Sequence, residues 1–516
     1  MLGGCMLLSI RSPRVQDGLV VVVALLLTAF YVWAGGGGFA LDDAWIHQTY
    51  ARNLGLYGEW AFVRGVPSAA STSPLFTVVL AIGYRLGMPY ALWTHALGAV
   101  ALAGIGLLAI RLARRLTGPQ SLAPLAAGLA CVASWHLVWA AASGMETALF
   151  ALWTLALILL AWREMDVERP RTLLRAVIFG VVAGLTMLTR PEGIVLAALC
   201  GAALLLAHPR RSLSEMFVWL VVAALAWFVV MLPYFALNLQ LAGGLLPSTN
   251  AAKRAEYALH FTWGYGARLL HVLTPLAASA SLLLLPGVVL YILEQGRALR
   301  RKREACLLLV PVGWVLALPL LYAVWLPVNY HYGRYVIPAL PAFLVCGVVG
   351  TAWLLRRAAK HPLGRPLTRV LAVSAAVVIA LFALVIGPGV YQRGVAVINE
   401  EMVAQAEWIA ANLPPDELLA VHDIGAVGYF APRPILDTAG LISPGVIPVL
   451  QDKEGLYALF EGQDVHFFMG FDDQTPGGDP ADPRLCPVKR SAGTASVEAG
   501  GSSMTIYALA FDGNCP

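Results

Sequence analysis

Long apolar runs separated by short polar loops fill the first three quarters of the chain, and this alternation predicts a bundle of membrane-crossing helices. Runs able to span roughly 30 Å of hydrocarbon lie near 18–35, 91–110, 121–141, 146–162, 173–188, 193–207, 216–238, 272–294, 305–325, 335–355 and 369–388, giving eleven crossings. A further run, 74–86, is too short to cross and reads as a half-helix on the outer side. Just after the first crossing, LDDAWIHQTYARNL places Ile46, Tyr50, Leu54 and Tyr57 at helical spacing, which predicts an amphipathic helix lying in the interface. The pattern divides the chain into a transmembrane domain, 1–388, whose segment 36–89 is an outer loop with interfacial helices, and a tail, 389–516.

In the tail the pattern changes. A helical stripe of Ile398, Met402, Ile409 and Leu413 stops at Pro414-Pro415. LLAVHD then reads as a strand, GAVGYF as a turn into a short helix, and RPILDTAG, VHFFMG and SMTIYALAF as further strands. A small α/β domain is expected. No solenoid-type repeat is visible.

Composition sharpens the class. The 516 residues are 59% hydrophobic and only 13% charged, more apolar surface than a soluble domain can hide. The net charge of +5 is no nucleic-acid signal, because the basic residues concentrate in short loops between spans. Arg11 and Arg14 precede the run Leu19 to Trp33, which we read as an uncleaved first helix, since cleavage before Leu41 would detach Asp42 and Asp43 from their anchor.

With 74–86 treated as a half-helix, the Arg-rich segments all fall on one side: the N-terminus, RLARR at 111–115, Arg163 to Arg175, Arg210-Arg211, RALRRKR at 297–303, and Arg356 to Arg369. They hold 21 Lys and Arg against 8 in the intervening loops, which by the positive-inside rule makes them cytoplasmic. The loops with unusual polar chemistry then gather on the outer face, and the tail is extracytoplasmic. Five cysteines, Cys5, Cys131, Cys200, Cys306 and Cys346, fall in or beside apolar spans. Cys486 and Cys515 sit in the polar tail, either paired outside the cell or as two inert thiols.

Two adjacent carboxylates close to hydrocarbon are costly, so Asp42 and Asp43 are candidates for a general base. One acid would suffice to cap the helix they open. Arg190 and Glu192 in LTRPEG stand where Pro191 interrupts the chain between two spans, and an arginine there either snorkels to the surface or holds a phosphate in its planar fork. Arg334, preceded by His331 and Tyr332, and Lys253, in the loop containing Asn250, add scarce outer-face cations. Together they suggest a receptor for an anionic lipid headgroup, against the alternative of ordinary headgroup electrostatics. Glu146 in SGMET is either a cap or a second acid or sugar-binding group. His422 and Asp423 in the tail either reach the membrane site or are strand-end polar residues. Asp42, Asp43 and His331 lack tight metal-ligand spacing, so no metal is expected, and no cofactor motif is present.

In order along residues 40–445, DDAWIHQTYARN, STSPLF, SGMETALF, LTRPEG, PSTNAAK, GRYVIPALP and HDIGAVGYF…ILDTAGLISP resemble the GT-C glycosyltransferase superfamily, most closely terminal arabinofuranosyltransferases of the mycobacterial cell wall and their relatives. The resemblance implies an integral inner-membrane enzyme that moves a sugar from a polyprenyl-phosphate donor to a glycan, lipid or protein hydroxyl on the extracytoplasmic side. It assigns the base to Asp42 or Asp43 and the donor-phosphate contacts to Arg190, Arg334 and Lys253. The rival is a transporter or flippase of a lipid-linked sugar. Transporters place charged groups near the midplane, often within internal repeats, whereas here the polar groups cluster at one surface and the two halves do not look alike.

Overall fold

The computed structural model describes residues 12–118, 121–166, 172–208, 212–245, 247, 249–277 and 279–515. Cys5, Arg11, Arg210, Arg211 and part of the Arg163–Arg175 loop lie outside the described residues. Six helices among those described are long and apolar enough to cross a membrane: Pro13–Ala34, Tyr90–Thr117, Leu213–Ala242, Ala280–Leu299, Tyr330–Ala358 and Gly364–Asn412. Ala123–Val132 and Trp135–Ala142, bent by 50°, make a seventh if taken as one span. Four other expected spans are helices of 17, 17, 15 and 16 residues, Thr147–Arg163, Leu173–Thr189, Gly193–Ala207 and Val310–Trp325. At roughly 1.5 Å per residue they fall short of full hydrocarbon thickness. Leu25, Leu26, Phe217, Leu225, Val229, Val370 and Val377 are exposed on the bundle surface, as side chains meant to face lipid must be. The protein is a multi-pass membrane protein.

The expected half-helix and interfacial helix both form, as Pro74–Arg85 and Asp42–Tyr57. The second differs from expectation in its surroundings. Rather than floating at the surface, it is buried from Ala44 to Ala51 and emerges only in its last turn. Pro74–Arg85 covers one side, and Gly55 packs so closely that a Cβ there would lie 2.6 Å from the Ala81 carbonyl oxygen. The tail covers another side. The polar residues Gln48 and Asn53, which made this stripe look amphipathic, are satisfied internally: Gln48 donates to Thr94 at 2.8 Å and Asn53 to the Ala61 carbonyl at 2.9 Å.

The last membrane helix does not stop near 388. It runs from Gly364 to Asn412, 49 residues in all, with π-helical turns at Phe382–Ile386 and Ile398–Val403. It leads into a five-stranded sheet of β3 (Leu419–Val421), β4 (Ile435–Asp437), β5 (Phe467–Gly470), β6 (Leu485–Arg490) and β7 (Thr505–Leu509), ordered β4-β3-β5-β7-β6; β1 and β2 form the small hairpin Ala61–Val63 and Val66–Pro67. β3 is parallel to β4 and β5, and β7 is antiparallel to β5 and β6. Because side chains alternate along a strand, Leu419, Val421, Ile435, Met469 and Ile506 join the core that is continuous with the bundle. Ala420, Leu436, Phe468 and Tyr507 form a second core with Leu456 and Phe460 of the helix Lys453–Gly462. Cys486 and Cys515 are disulfide-bonded with Cα atoms 5.5 Å apart, tying β6 to the chain end.

Candidate functional site

A cavity of about 400 Å³ opens where the polar loops meet. Asp43, Glu146, Arg190, Glu192, Asn250, Lys253 and Arg334 all line it, so seven of the residues singled out from sequence converge from five segments. Met187, Pro191, Ile194, Val195 and Leu321 supply an apolar wall.

Helix geometry separates the two adjacent acids, because neighbouring residues on a helix point about 100° apart. Asp43, Ile46 and His47, spaced i, i+3 and i+4, face the cavity. Asp42 points into the tail, where its two carboxylate oxygens accept from the Gly425 and Ala426 N–H groups at 2.7 and 2.8 Å. Farther along the same helix, Arg52 donates to the Tyr429 and Gly428 carbonyls at 2.7 and 3.1 Å. The short tail helix Ile424–Phe430 is therefore held by an acid at its amino end and a base at its carboxyl end, as its dipole favours. Burial, and then Asp423, push the Asp42 carboxyl up to about 8 against the pull of those two N–H groups. A Cβ on Gly425 would sit 2.2 Å from the Asp42 carbonyl oxygen, so only glycine permits this approach. Asp42→Ala leaves two buried donors unsatisfied, at a cost of about 1–3 kcal/mol. Hydrogen exchange over residues 424–430 is expected to quicken in this variant and in Gly425→Val, and unchanged protection in both would contradict the docking role.

Asp43 pairs with Arg334. Burial alone would raise its carboxyl, but Arg334 and then Lys253 outweigh it and hold Asp43 well below the usual carboxylate range. Arg334 is 2% exposed, and its Nε and Nη1 have no hydrogen-bond partner among the described residues. Buried guanidinium donors are rarely left so. Arg190 donates from Nη1 to Glu146 at 2.5 Å, from Nε to Glu192 at 3.3 Å and from Nη2 to the Tyr322 hydroxyl at 3.0 Å. Tyr322 in turn donates to Glu192. The His47 imidazole lies 3.4 Å from the other oxygen of Glu146. Glu146 begins the helix Thr147–Arg163 without using its side chain as a cap. It is aimed inward by the turn at Gly144, whose φ of +79° and contact with Phe39 exclude a side chain. Lys253 donates to the Tyr335 hydroxyl at 3.1 Å, and Asn250 accepts from the Trp325 indole at 2.8 Å.

His331 and Tyr332 do not line the cavity. Both, with Gly333, have left-handed backbone, φ 53°, 59° and 73°. This tight turn carries Tyr332 away to pack edge-on against Trp135 and Trp139, each at 5.6 Å, and leaves His331 against Tyr330. In their place Tyr335 and Tyr322 line the cavity with His47 and Trp325, none of which the sequence reading singled out.

His422 and Asp423 stand at the carboxyl end of β3. They lie 3.5 Å apart and Gln474 donates to Asp423 at 2.8 Å, beside the cavity rather than lining it. Burial pulls the His422 imidazole down, but the Asp423 carboxylate beside it outweighs burial and pushes it up to about 9. A raised histidine stabilises the fold fully below its ordinary 6.5, and the contribution is lost as pH rises through about 9. Melting temperature is expected to fall across that window and to fall less in His422→Gln. The tail contributes directly to the cavity through Leu441, placed by a turn in which Asp437 accepts from the Ala439 and Ile442 N–H groups at 2.9 and 2.7 Å.

A family model described as a domain of unknown function, DUF8728, matches residues 391–507. No curated protein sequence matches. Among solved structures, ArnT from Cupriavidus metallidurans superposes in the apo state at TM-score 0.61 with 17% identity. Bound to undecaprenyl phosphate it superposes at 0.59 with 15%; in both states the match covers 97% of this chain and 99% of that one. The Archaeoglobus fulgidus oligosaccharyltransferase tethered to an acceptor peptide matches at 0.61 with 13% identity, over 96% of this chain and 74% of that one. A mutant of the arabinofuranosyltransferase AftD from Mycobacteria matches at 0.50 with 15% identity, over 96% of this chain and 42% of that one. These are GT-C glycosyltransferases, and the chain has the GT-C fold.

Proposed function

We propose that this protein is an inverting glycosyltransferase that moves a sugar from a polyprenyl-phosphate donor to a hydroxyl acceptor at the extracytoplasmic face. One observation carries the reading: Asp43 shares a cavity with Arg190, Lys253 and Arg334, and two buried donors of Arg334 have no partner among the described residues. An anionic oxygen is what such donors accept. The apolar wall from Met187 to Leu321 suits the first isoprene units of the donor tail. The solved ArnT structure with undecaprenyl phosphate, in the same fold, agrees with this ligand class.

In this reading Asp43 takes the proton of the acceptor hydroxyl, whose oxygen attacks the anomeric carbon opposite the phosphate. The acceptor O–C1 bond forms as the bond from C1 to the phosphate oxygen breaks, the leaving electron pair stays on the polyprenyl phosphate, and configuration inverts. Arg334, Arg190 and Lys253 offset the charge growing on the phosphate. A bound phosphate also neutralises the cations that hold Asp43 low, so the carboxylate becomes a stronger base once the donor is in place. Glu146, Glu192, His47 and Asn250 are left to bind the sugar, and His422 and Asp423 border the acceptor side. Asp42 docks the tail and does no chemistry.

The sidedness rests on the charge bias of the loops, which favours eleven crossings and an extracytoplasmic tail formed by 389–516. Sugar transfer from a polyprenyl-phosphate donor, measured for Asp42→Ala and Asp43→Ala, tests the reading. Intact transfer in the Asp43 variant contradicts it, and movement of lipid-linked sugar across vesicles without transfer favours a flippase.

A further inference from the structure

The three cavity cations come from segments far apart in sequence. Arg190 follows one helix, Lys253 lies on Thr249–Glu256, and Arg334 precedes Leu340–Ala358. Like charges drawn together in buried or half-buried positions repel, and the nearby carboxylates serve them unequally: Arg190 has Glu146 and Glu192, Arg334 has Asp43, and no carboxylate lies within ion-pair distance of Lys253 among the described residues. A single side chain touches all three. The Arg190 guanidinium lies over the Tyr335 ring at 4.7 Å and that of Arg334 at 5.0 Å, while the Lys253 ammonium is 5.8 Å from the ring centre. The Tyr335 oxygen accepts from Lys253 at 3.1 Å and from Arg334 Nη2 at 3.3 Å, and shares a hydrogen bond with the Tyr330 hydroxyl at 2.7 Å. Tyr322 stacks on the ring at 4.9 Å with planes 20° apart, which fixes its orientation.

An ordinary core tyrosine needs one partner for its hydroxyl. Here the electron-rich ring serves the two arginines and the oxygen serves lysine and arginine together, so ring and hydroxyl carry separable parts of one task. We propose that Tyr335 is a positioning residue that gathers Arg190, Lys253 and Arg334 into a single phosphate cradle before the donor arrives. This inference rests on the glycosyltransferase reading above and adds the means by which the cradle is assembled. Tyr335 acts through the cations. Its oxygen, receiving from both Lys253 and Arg334, marks where two donors converge on one acceptor, and a phosphate oxygen draws the same donors when it enters.

The ring and the oxygen are separated by two substitutions. Tyr335→Phe keeps the ring and releases Lys253 and the Nη2 of Arg334 from the oxygen, whereas Tyr335→Leu also takes the ring from under both arginines. Binding of polyprenyl phosphate without sugar, to the full chain in nanodiscs, is expected to weaken about fivefold in the first and about fiftyfold or more in the second. In transfer assays KM for the donor should rise by more than kcat falls in Tyr335→Phe. A double-mutant cycle of Tyr335→Phe with Lys253→Met gives a second measure that does not depend on the leucine variant folding, and it should be strongly non-additive because both changes break one contact. Additive effects, or wild-type affinity for polyprenyl phosphate in both tyrosine variants, overturn the assignment while leaving the glycosyltransferase reading standing. Failure of the unsubstituted protein to bind polyprenyl phosphate overturns both.

Discussion

Asp43→Asn is expected to lower sugar transfer by about 10²–10⁴-fold, the usual range for removing a general base. Binding of the polyprenyl-phosphate donor should meanwhile stay within a few fold of wild type. The amide keeps the size of the carboxylate and an oxygen that accepts from Arg334, but it cannot take a proton from the acceptor. The informative comparison is with the neighbouring residue. Asp42→Asn should spare much of the activity, because Asp42 reaches the Gly425 and Ala426 N–H groups and does not line the cavity. What it disturbs is the docking of the tail helix, read out as lower thermal stability. A result in which the Asp42 variant is dead and the Asp43 variant active would reverse the division of labour.

Arg334→Gln carries the second large effect. It removes a buried charge that pairs with Asp43 and offers two unused donors, and it strands a carboxylate in a partly buried site. Truncating one member of a charged pair across a binding interface, here Arg334 against the donor phosphate, typically costs about 2–5 kcal/mol, so donor affinity should fall by about thirtyfold or more. Arg334→Lys should rescue little, because an ammonium cannot hold Asp43 with one nitrogen and present two further donors in a fixed plane. Donor KM in the transfer assay and binding of polyprenyl phosphate alone should move together. If Arg334→Lys restores both, the planar fork is not what the site uses.

Much of this was legible in the sequence because membrane segments announce themselves by length and charge. The convergence of LTRPEG, the Lys253 loop and GRY on the acidic segment followed from placing every basic loop on one side. Helix periodicity also held information that the adjacent-pair reading passed over. Asp43 and His47 are four residues apart and share a face, whereas Asp42 and Asp43 cannot, so one acid was free for docking. Other features left no local trace. Tyr322 lies among apolar residues, where a tyrosine looks like packing or an interfacial anchor, and Tyr335 opens the apolar run of its span. His331 and Tyr332 were attractive because they precede Arg334, but three successive left-handed residues reverse the side chains there, and only the glycine of the three signals such a turn. The burial of Asp42–Tyr57 depends on contacts with the tail, nearly four hundred residues away, which no periodicity encodes. In the tail the strands around Ala420, Leu436, Phe468 and Tyr507 were readable by alternation, while LCPVKR, β6, was hidden by its proline, tolerated because β6 is an edge strand.

The most direct test is a cryo-electron microscopy structure of the full chain with bound polyprenyl phosphate. The phosphate is expected within hydrogen-bonding distance of Arg334 and Lys253, beside Arg190, with the lipid tail leaving along Met187, Ile194 and Leu321 and the Asp43 carboxylate facing the position of the anomeric carbon. A phosphate bound instead at the Arg-rich end of the bundle, near Arg297 to Arg303 or Arg356, would contradict the account.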